Sequence, residues 1–332
     1  MTNHPIQLTR RATLRGLAGA ACLAAPARLW AQDAGAPSDF ATRAAGLDQL
    51  HALVISKGGE RVFAEAFRGP ALSAPANIKS VSKTLLALLT GRAIAEGALD
   101  GTDARVLPLL GRAPAGDARD ALTIGHLLSM RTGLDSTSGG DYGAWIASSD
   151  WVDYVLTRDL VAEPGGRFIY STGGWHVLGA VLARATGRDL HDLAQDWIGD
   201  PLDLAMPIWV RDPQGRYLGG NEMAVSAAGL ARIGEAVLSQ DSAIVPQNWI
   251  ETSWQRRARS PFSGDGYGYG WFLTEIDGTP VRYGRGYGGQ ILAVAPEREV
   301  VISITSDPTR PARSGGYFGD LKTLMSDILQ QV

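Results

Sequence analysis

Asn77-Ile78-Lys79-Ser80-Val81-Ser82-Lys83-Thr84 leads straight into the apolar run Leu85-Leu86-Ala87-Leu88-Leu89. The pattern predicts a helix over 84–96, with Gly97 as its stop. Ser80 and Lys83 stand three residues apart where a loop enters that helix, and positions i and i+3 share a helix face. The Ser80 hydroxyl and the Lys83 amine can therefore meet in a cleft. A lysine desolvated there loses its proton more readily and activates a serine without a histidine. Alone, the pair is a weak signal. The chain has four lysines, Lys57, Lys79, Lys83 and Lys322, and a capping serine followed by a solvated lysine is ordinary.

Upstream of this motif, 50–56 reads as a buried strand, 57–60 as a glycine turn and 61–67 as a second, alternating strand, together a hairpin. Residues 32–45 read as a linker or first helix. Downstream, helices are predicted at 122–130, 174–186, 190–198, 226–238 and 246–254, the last opening on Pro246. The segment between 133 and 164 is loop-rich and aromatic, with Tyr142, Trp145, Trp151 and Tyr154. Strands return at 267–276, 281–283, 290–295 and 299–305, before a final helix over 317–329. Strands from both ends most simply form one antiparallel sheet. The expected class is α+β: an antiparallel sheet flanked by N- and C-terminal helices, with a large inserted helical region. The expected division is an export signal at 1–31, a first sheet part at 32–79, a helical region at 80–224 and a second sheet part at 225–332. Ser80 falls at the junction of sheet and insert, where clefts form.

The 332 residues are 45% hydrophobic and 20% charged, an ordinary globular balance with ample length for a core. Net charge is −3, and no basic run stands out beyond the N-terminus, so a nucleic-acid partner is not expected. Thr9-Arg10-Arg11-Ala12-Thr13-Leu14-Arg15, followed by an apolar stretch from Gly16 to Pro26, resembles a twin-arginine export signal cleaved after Ala31. The apolar part is far short of the ~20 residues of a membrane span. A periplasmic or secreted chain with no stable membrane insertion is expected. Losing 1–31 removes four arginines, no acids and Cys22, the only cysteine. No disulfide, thiolate ligand or cysteine nucleophile then remains.

Two further stretches suit a site. Pro164-Gly165-Gly166-Arg167-Phe168-Ile169-Tyr170-Ser171-Thr172 places a tyrosine on a loop before a helix, where a nearby cation tunes it for proton transfer. Tyr283-Gly284-Arg285-Gly286-Tyr287-Gly288-Gly289-Gln290 leads into an apolar strand. Its glycines let backbone approach a ligand and offer an N–H to an oxyanion. Each stretch also reads as a packed loop tyrosine and a plain hairpin turn. No serine lies in Gly-x-Ser-x-Gly. The five histidines form no HExxH or other ligand pair, and no Gly-Lys-Ser/Thr phosphate loop is present. Neither a metal nor a cofactor is expected.

In order and in the text around them, these elements resemble the serine β-lactamase/penicillin-binding-protein superfamily. The branch is the class C-like one, which holds esterases and 6-aminohexanoate-oligomer hydrolases. The resemblance rests on 77–84, 122–134, 164–174 and 288–297 and covers roughly 45–330. It implies a β-lactamase-like fold, Ser80 as the acylated nucleophile, Lys83 as its general base and Tyr170 as the proton shuttle. It also implies an oxyanion hole from the N–H groups of Ser80 and Tyr287. Ser171, Thr172, Arg285, Gly286, Gly288, Trp175, Trp145 and Tyr142 are the implied substrate-binding residues. Two departures stand out. Thr172 replaces the asparagine of the second β-lactamase motif, and the third motif lacks its lysine, with only Arg285 nearby, whose fork is not equivalent. The expected activity is therefore exported serine hydrolysis of a small ester or amide. The alternatives are β-lactamase or D-amino-peptidase-like action, or a slowly acylated, non-catalytic penicillin-binding-like protein.

Overall fold

Apart from Met1, the computed structural model describes residues 39–332. The export signal expected over 1–31 lies outside them. Among the described residues, no helix is long and apolar enough to cross a membrane.

The strands are β1 (Leu50–Lys57), β2 (Glu60–Ala66), β3 (Ala76–Asn77), β4 (Ala224–Val225), β5 (Ala258–Arg259), β6 (Gly266–Tyr267), β7 (Phe272–Ile276), β8 (Thr279–Gly286), β9 (Gln290–Ala295) and β10 (Val300–Ser306). Eight of them make one sheet in the order β2-β1-β10-β9-β8-β7-β6-β5, and every pairing is antiparallel. Among the described residues, the first strand thus lies beside the last. The helices are α1 (Asp39–Gly46), α2 (Ser82–Ala95), α3 (Val106–Leu109), α4 (Ile124–Leu128), α5 (Tyr142–Ile146), α6 (Trp151–Leu156), α7 (Thr172–Thr186), α8 (Leu190–Ala194), α9 (Ala227–Leu238), α10 (Gln247–Ser253) and α11 (Tyr317–Gln331). The expected α+β class holds, with terminal helices on the sheet and a helical insert between β2 and β5.

Strand parity decides which helices each face receives. Ile55 stands opposite Ile302, Ile302 opposite Ala293, Ala293 opposite Tyr283, and Tyr283 opposite Phe272. That row faces α1 and α11: Phe40 of α1 packs edge-on against Phe63, the partner of Ile55, and Phe318 of α11 lies 5.9 Å from Tyr283. The alternate row, with Val54, Ser303, Leu292 and Gly284, faces α9 and α2. Val54 and Ala52 pack on Ala227 and Ala231, and Ser303 donates to the Ala227 carbonyl at 2.8 Å. A Cβ at Gly284 would run into Thr84 of α2. Helix α2 is buried along almost its whole length, which is why it reads as an unbroken apolar run rather than an amphipathic stripe. One hydrophobic core, from Phe40 to Leu329, runs through both the sheet and the helical insert.

Candidate active site

Ser80 sits in a single 3-10 turn, Lys79–Val81, that runs directly into α2. The first hydrogen bond of that turn goes from the Val81 N–H to the Ile78 carbonyl at 3.1 Å. The Ser80 N–H therefore lies in the first turn with no intrahelical acceptor. The turn is braced on both sides. The Ile78 N–H donates to the Met223 carbonyl at 3.0 Å, beside the β3–β4 pair. The Ser82 hydroxyl donates to the Lys79 carbonyl at 2.6 Å and accepts from the Met223 N–H at 3.2 Å. Lys79 holds a left-handed φ of +48°, uncommon for a residue with a side chain. Its Nζ pairs with Glu222 at 2.9 Å, and Asn77 donates to the same carboxylate at 2.6 Å.

Lys83 is 2% exposed. Its Nζ lies 2.9 Å from Ser80 Oγ, 2.7 Å from the Gly220 carbonyl and 3.3 Å from Thr172 Oγ1, with no carboxylate among these partners. Burial without a counter-charge pulls the Lys83 amine down from 10.5 to about 7. The Tyr170 ring packs against this amine, 5.2 Å from Nζ to ring centroid. Burial pushes the Tyr170 phenol up, against the pull of its hydrogen bond to Ser80 and the charge of Arg285. Tyr170 precedes α7, whose N-cap is Ser171, and the Tyr170 carbonyl accepts from Ser136 Oγ at 2.7 Å.

On the opposite side, β8 carries Gly284 and Gly286 on the face that receives α2. A Cβ on Gly286 would overlap the Ile78 carbonyl, so only glycine lets the strand lie against the Ser80 turn. The Tyr287-Gly288-Gly289 turn follows. The Tyr287 N–H has no acceptor among the described residues, so it and the Ser80 N–H are two free donors at the cleft. Fully buried Gln290 locks this turn: its side chain spans the Ser306 carbonyl (2.8 Å) and N–H (3.0 Å). Ser306 Oγ donates to the Gly289 carbonyl at 3.1 Å.

A cleft of about 760 Å³ opens over these groups. Ser80, Tyr142, Tyr170, Thr172, Arg285, Gly286 and Tyr287, all read from the sequence, line it. Lys83 is buried behind Ser80, bonded to its Oγ, and does not itself line the cleft. Four expected binding residues do not line it. Trp145 and Trp175 are fully buried: Trp145 packs behind Tyr142 and donates to the Trp151 carbonyl, while Trp175 packs behind Lys83 and Gly220. Ser171 caps α7 and bonds to Thr137 at 2.9 Å. Gly288 lies against the Asp307 backbone. Their positions follow from packing: large aromatics beside a helix fill the core before they reach a cleft. Arg285 has odd parity and leaves on the α11 side, stacked 3.5 Å over Phe318 and bonded to the Ala312 carbonyl (2.7 Å) and Ser314 (3.2 Å).

Several lining residues carry no sequence signal of their own: Ser138, Asn221, Phe262, Phe272 and Arg313. Ser138 Oγ donates to Thr172 Oγ1 at 3.0 Å and accepts the Thr172 N–H at 2.9 Å. Asn221 donates to the Tyr142 hydroxyl at 3.0 Å. The Gly219-Gly220 pair ahead of Asn221 is the one local pattern that could have marked this segment, and no expected site residue was drawn from it.

Residues 50–318 match the Beta-lactamase family model. Among solved structures, EstCE1, a hydrolase with promiscuous acyltransferase activity, superposes with a TM-score of 0.71 at 21% identity, over 86% of this chain and 98% of that one. The octameric penicillin-binding protein homologue from Pyrococcus abyssi gives 0.69 at 22% identity, over 87% and 75%. The LovD9 mutant of simvastatin synthase from Aspergillus terreus gives 0.69 at 18% identity, over 88% and 98%. At these identities the likeness is one of fold. With the family model spanning most of its length, this chain belongs to the Beta-lactamase family and is a hydrolase of that family.

Proposed function

We propose that the protein is an exported serine hydrolase that cleaves a small ester or amide through an acyl-enzyme on Ser80. The observation that carries this reading is the buried Lys83 amine, 2.9 Å from Ser80 Oγ and without an acid to hold its proton. A neutral amine has two hydrogens and one lone pair. Gly220 O and Thr172 Oγ1 take the hydrogens, and the lone pair faces the Ser80 hydroxyl.

The steps follow. Ser80 Oγ attacks the substrate carbonyl carbon as its proton passes to Lys83 Nζ. The carbonyl oxygen becomes an oxyanion between the N–H groups of Ser80 and Tyr287. As the tetrahedral adduct collapses, the bond to the alcohol or amine breaks. Tyr170 gives that leaving group its proton and is reprotonated from the Lys83 ammonium. Water then attacks the acyl carbon by the reverse relay and releases the acid. The high-lying phenol supports a Tyr170 that starts protonated and relays, rather than a standing phenolate base.

β-Lactam hydrolysis is the second reading. It is disfavoured because Thr172 stands where an amide would hold the acylamino side chain, and because Arg285 is committed to Ala312 and Ser314. The test gives the purified chain and Ser80→Ala p-nitrophenyl acetate and butyrate, a chromogenic cephalosporin and a fluorophosphonate label, with intact mass as readout. Ester turnover and one adduct, both lost in Ser80→Ala, are expected. Cephalosporin turnover would favour the second reading, and neither adduct nor turnover would remove Ser80 as the nucleophile.

A further inference from the structure

Of the groups around the Lys83 amine, the Gly220 carbonyl is the one held from outside the cleft. Gly219 and Gly220 lie flat against α7 and α2. A Cβ on Gly219 would meet the Trp175 carbonyl, and one on Gly220, at φ +76°, would meet Trp175 Cβ and Lys83 Cγ. With no side chains, the two are fixed through their backbone. The Gly219 N–H donates to His176 Nδ1 at 3.3 Å, and His176 Nε2 lies 3.1 Å from Asp212 Oδ2. Both side chains are fully buried. Asp212 also accepts from Arg216 Nε at 2.7 Å and from the N–H groups of Gln214 (3.0 Å) and Arg216 (2.8 Å). Trp151 and Trp145 close over the imidazole at 5.4 and 5.9 Å.

A backbone N–H can only donate, so Nδ1 accepts and the imidazole proton sits on Nε2, facing Asp212. Burial holds the imidazole below its ordinary value against the pull of Asp212, which keeps this tautomer neutral. Burial works to raise the Asp212 carboxyl, yet the bonds from His176 and Arg216 hold it below the usual carboxylate range. His176 and Thr172 stand four residues apart on α7, on one face. One helix thus presents Thr172 Oγ1 directly to Lys83 and braces the second acceptor through Gly219.

We infer that His176 is a positioning residue for Lys83: held by Asp212, it anchors the Gly219-Gly220 segment through the Gly219 N–H so that the Gly220 carbonyl takes one amine hydrogen and the lone pair stays on Ser80. The inference rests on the acyl-enzyme reading above, but its test can be read without turnover. The chain has only four lysines, so 13C-lysine labelling gives a sparse NMR spectrum in which Lys83 is assigned by its loss in Lys83→Met. Two variants separate the bonds of His176. His176→Asn keeps an acceptor where Nδ1 stood and loses the reach to Asp212. His176→Gln keeps a donor toward Asp212 and removes the acceptor for Gly219.

The Gln variant should move the Lys83 titration midpoint by about half a unit or more. It should also lower kcat on p-nitrophenyl butyrate roughly 10²-fold with little change in KM. The Asn variant should stay near wild type in both. Equal shifts in the two variants, or a lower Tm in both with the midpoint unmoved, would overturn the inference in favour of a purely structural histidine. A 15N-histidine spectrum of the wild-type chain gives an independent reading that needs no folded variant: Nε2–H with a bare Nδ1 is expected, and a protonated Nδ1 overturns the inference. A midpoint shift confined to the Gln variant, in a protein that shows neither a fluorophosphonate adduct nor turnover, would remove the acyl-enzyme reading and leave the positioning role in place.

Discussion

At Lys83, burial and function pull the same way and stability pulls the other. The amine falls to about 7 because nothing charged compensates it, and this puts a usable base beside Ser80 near neutral pH. For the hydrolase reading, kcat/KM on p-nitrophenyl butyrate should rise about tenfold per pH unit below 7 and level above it. A profile flat from pH 5 to 9 would remove Lys83 as the base. The same shift costs stability. Because the folded value lies below the unfolded 10.5, the unfolded chain binds more protons between about pH 7 and 10.5, and stability should climb with pH across that window. Lys83→Met should then abolish turnover while raising stability at pH 6 by about 1–3 kcal/mol, a net figure because the Gly220 carbonyl loses its donor. Denaturant melts at pH 6 and pH 10 check it: the gain should shrink at the higher pH. Tyr170→Phe removes the relay but not the base, so it should cut kcat about 10²–10⁴-fold while fluorophosphonate still labels Ser80. At this scale, residues close in sequence were legible. Ser80 and Lys83 are brought together by their three-residue spacing, whereas Gly220 reaches Lys83, and His176 and Asp212 reach Gly219, from segments whose approach no local spacing reveals.

Among the elements, β8 shows most clearly what the pattern conveyed and what it concealed. The apolar run of β9 was expected over 290–295 and forms over Gln290–Ala295. Strand β8 was expected only at 281–283 but extends over Thr279–Gly286, because its glycines depress strand propensity while making room for α2 and the Ser80 turn. The low-propensity end of the strand is the part nearest the chemistry. Helices α5 and α6 were hidden inside an aromatic stretch read as loop. Each is a turn or two long, and α6 is started by a cap in which Asp150 accepts from the N–H groups of Val152 and Asp153. The glycine argument yields a direct test. Gly286→Ala puts a methyl against the Ile78 carbonyl oxygen, a backbone atom that cannot turn aside, so β8 and the Ser80 turn must move apart. The change should cost about 1–3 kcal/mol of stability and, through a displaced Tyr287 N–H, on the order of 10²-fold in kcat. Measured alongside, Gly278→Ala in the β7–β8 turn controls for a glycine-to-alanine change without a clash, because nothing lies within 4 Å of a Cβ there, although its φ of +77° adds backbone strain. Equal losses of activity in the two variants would refute close packing of β8 on the nucleophile turn as the cause.

On the scale of the whole molecule, the sequence suggested a sheet region and a helical region with a boundary at 80, and the packing changes what that boundary means. Helix α2 begins at Ser82 and belongs to neither side: its Thr84 bonds to the Gly270 carbonyl at 2.7 Å beside the sheet, and its Lys83 reaches Thr172 and Gly220 in the insert. The core it joins is continuous from α1 to α11. The pairing of β1 with β10 closes a loop of nearly the whole chain, so that ladder is worth its closure entropy only when the insert between them is folded. The two regions should therefore unfold as one unit despite their different secondary structure. Far-UV circular dichroism, tryptophan fluorescence (dominated in the insert by buried Trp145, Trp151 and Trp175) and loss of fluorophosphonate labelling at Ser80 should share one midpoint. Calorimetry should give a single peak with an enthalpy on the order of 200 kcal/mol. If fluorescence and labelling were lost several degrees before the sheet signal, the insert would be a separate folding unit, and the cleft would lie between two bodies free to move. A single transition means instead that Ser80, Lys83 and the β8 edge keep their spacing for as long as the protein is folded, as the proposed acyl-enzyme reaction requires.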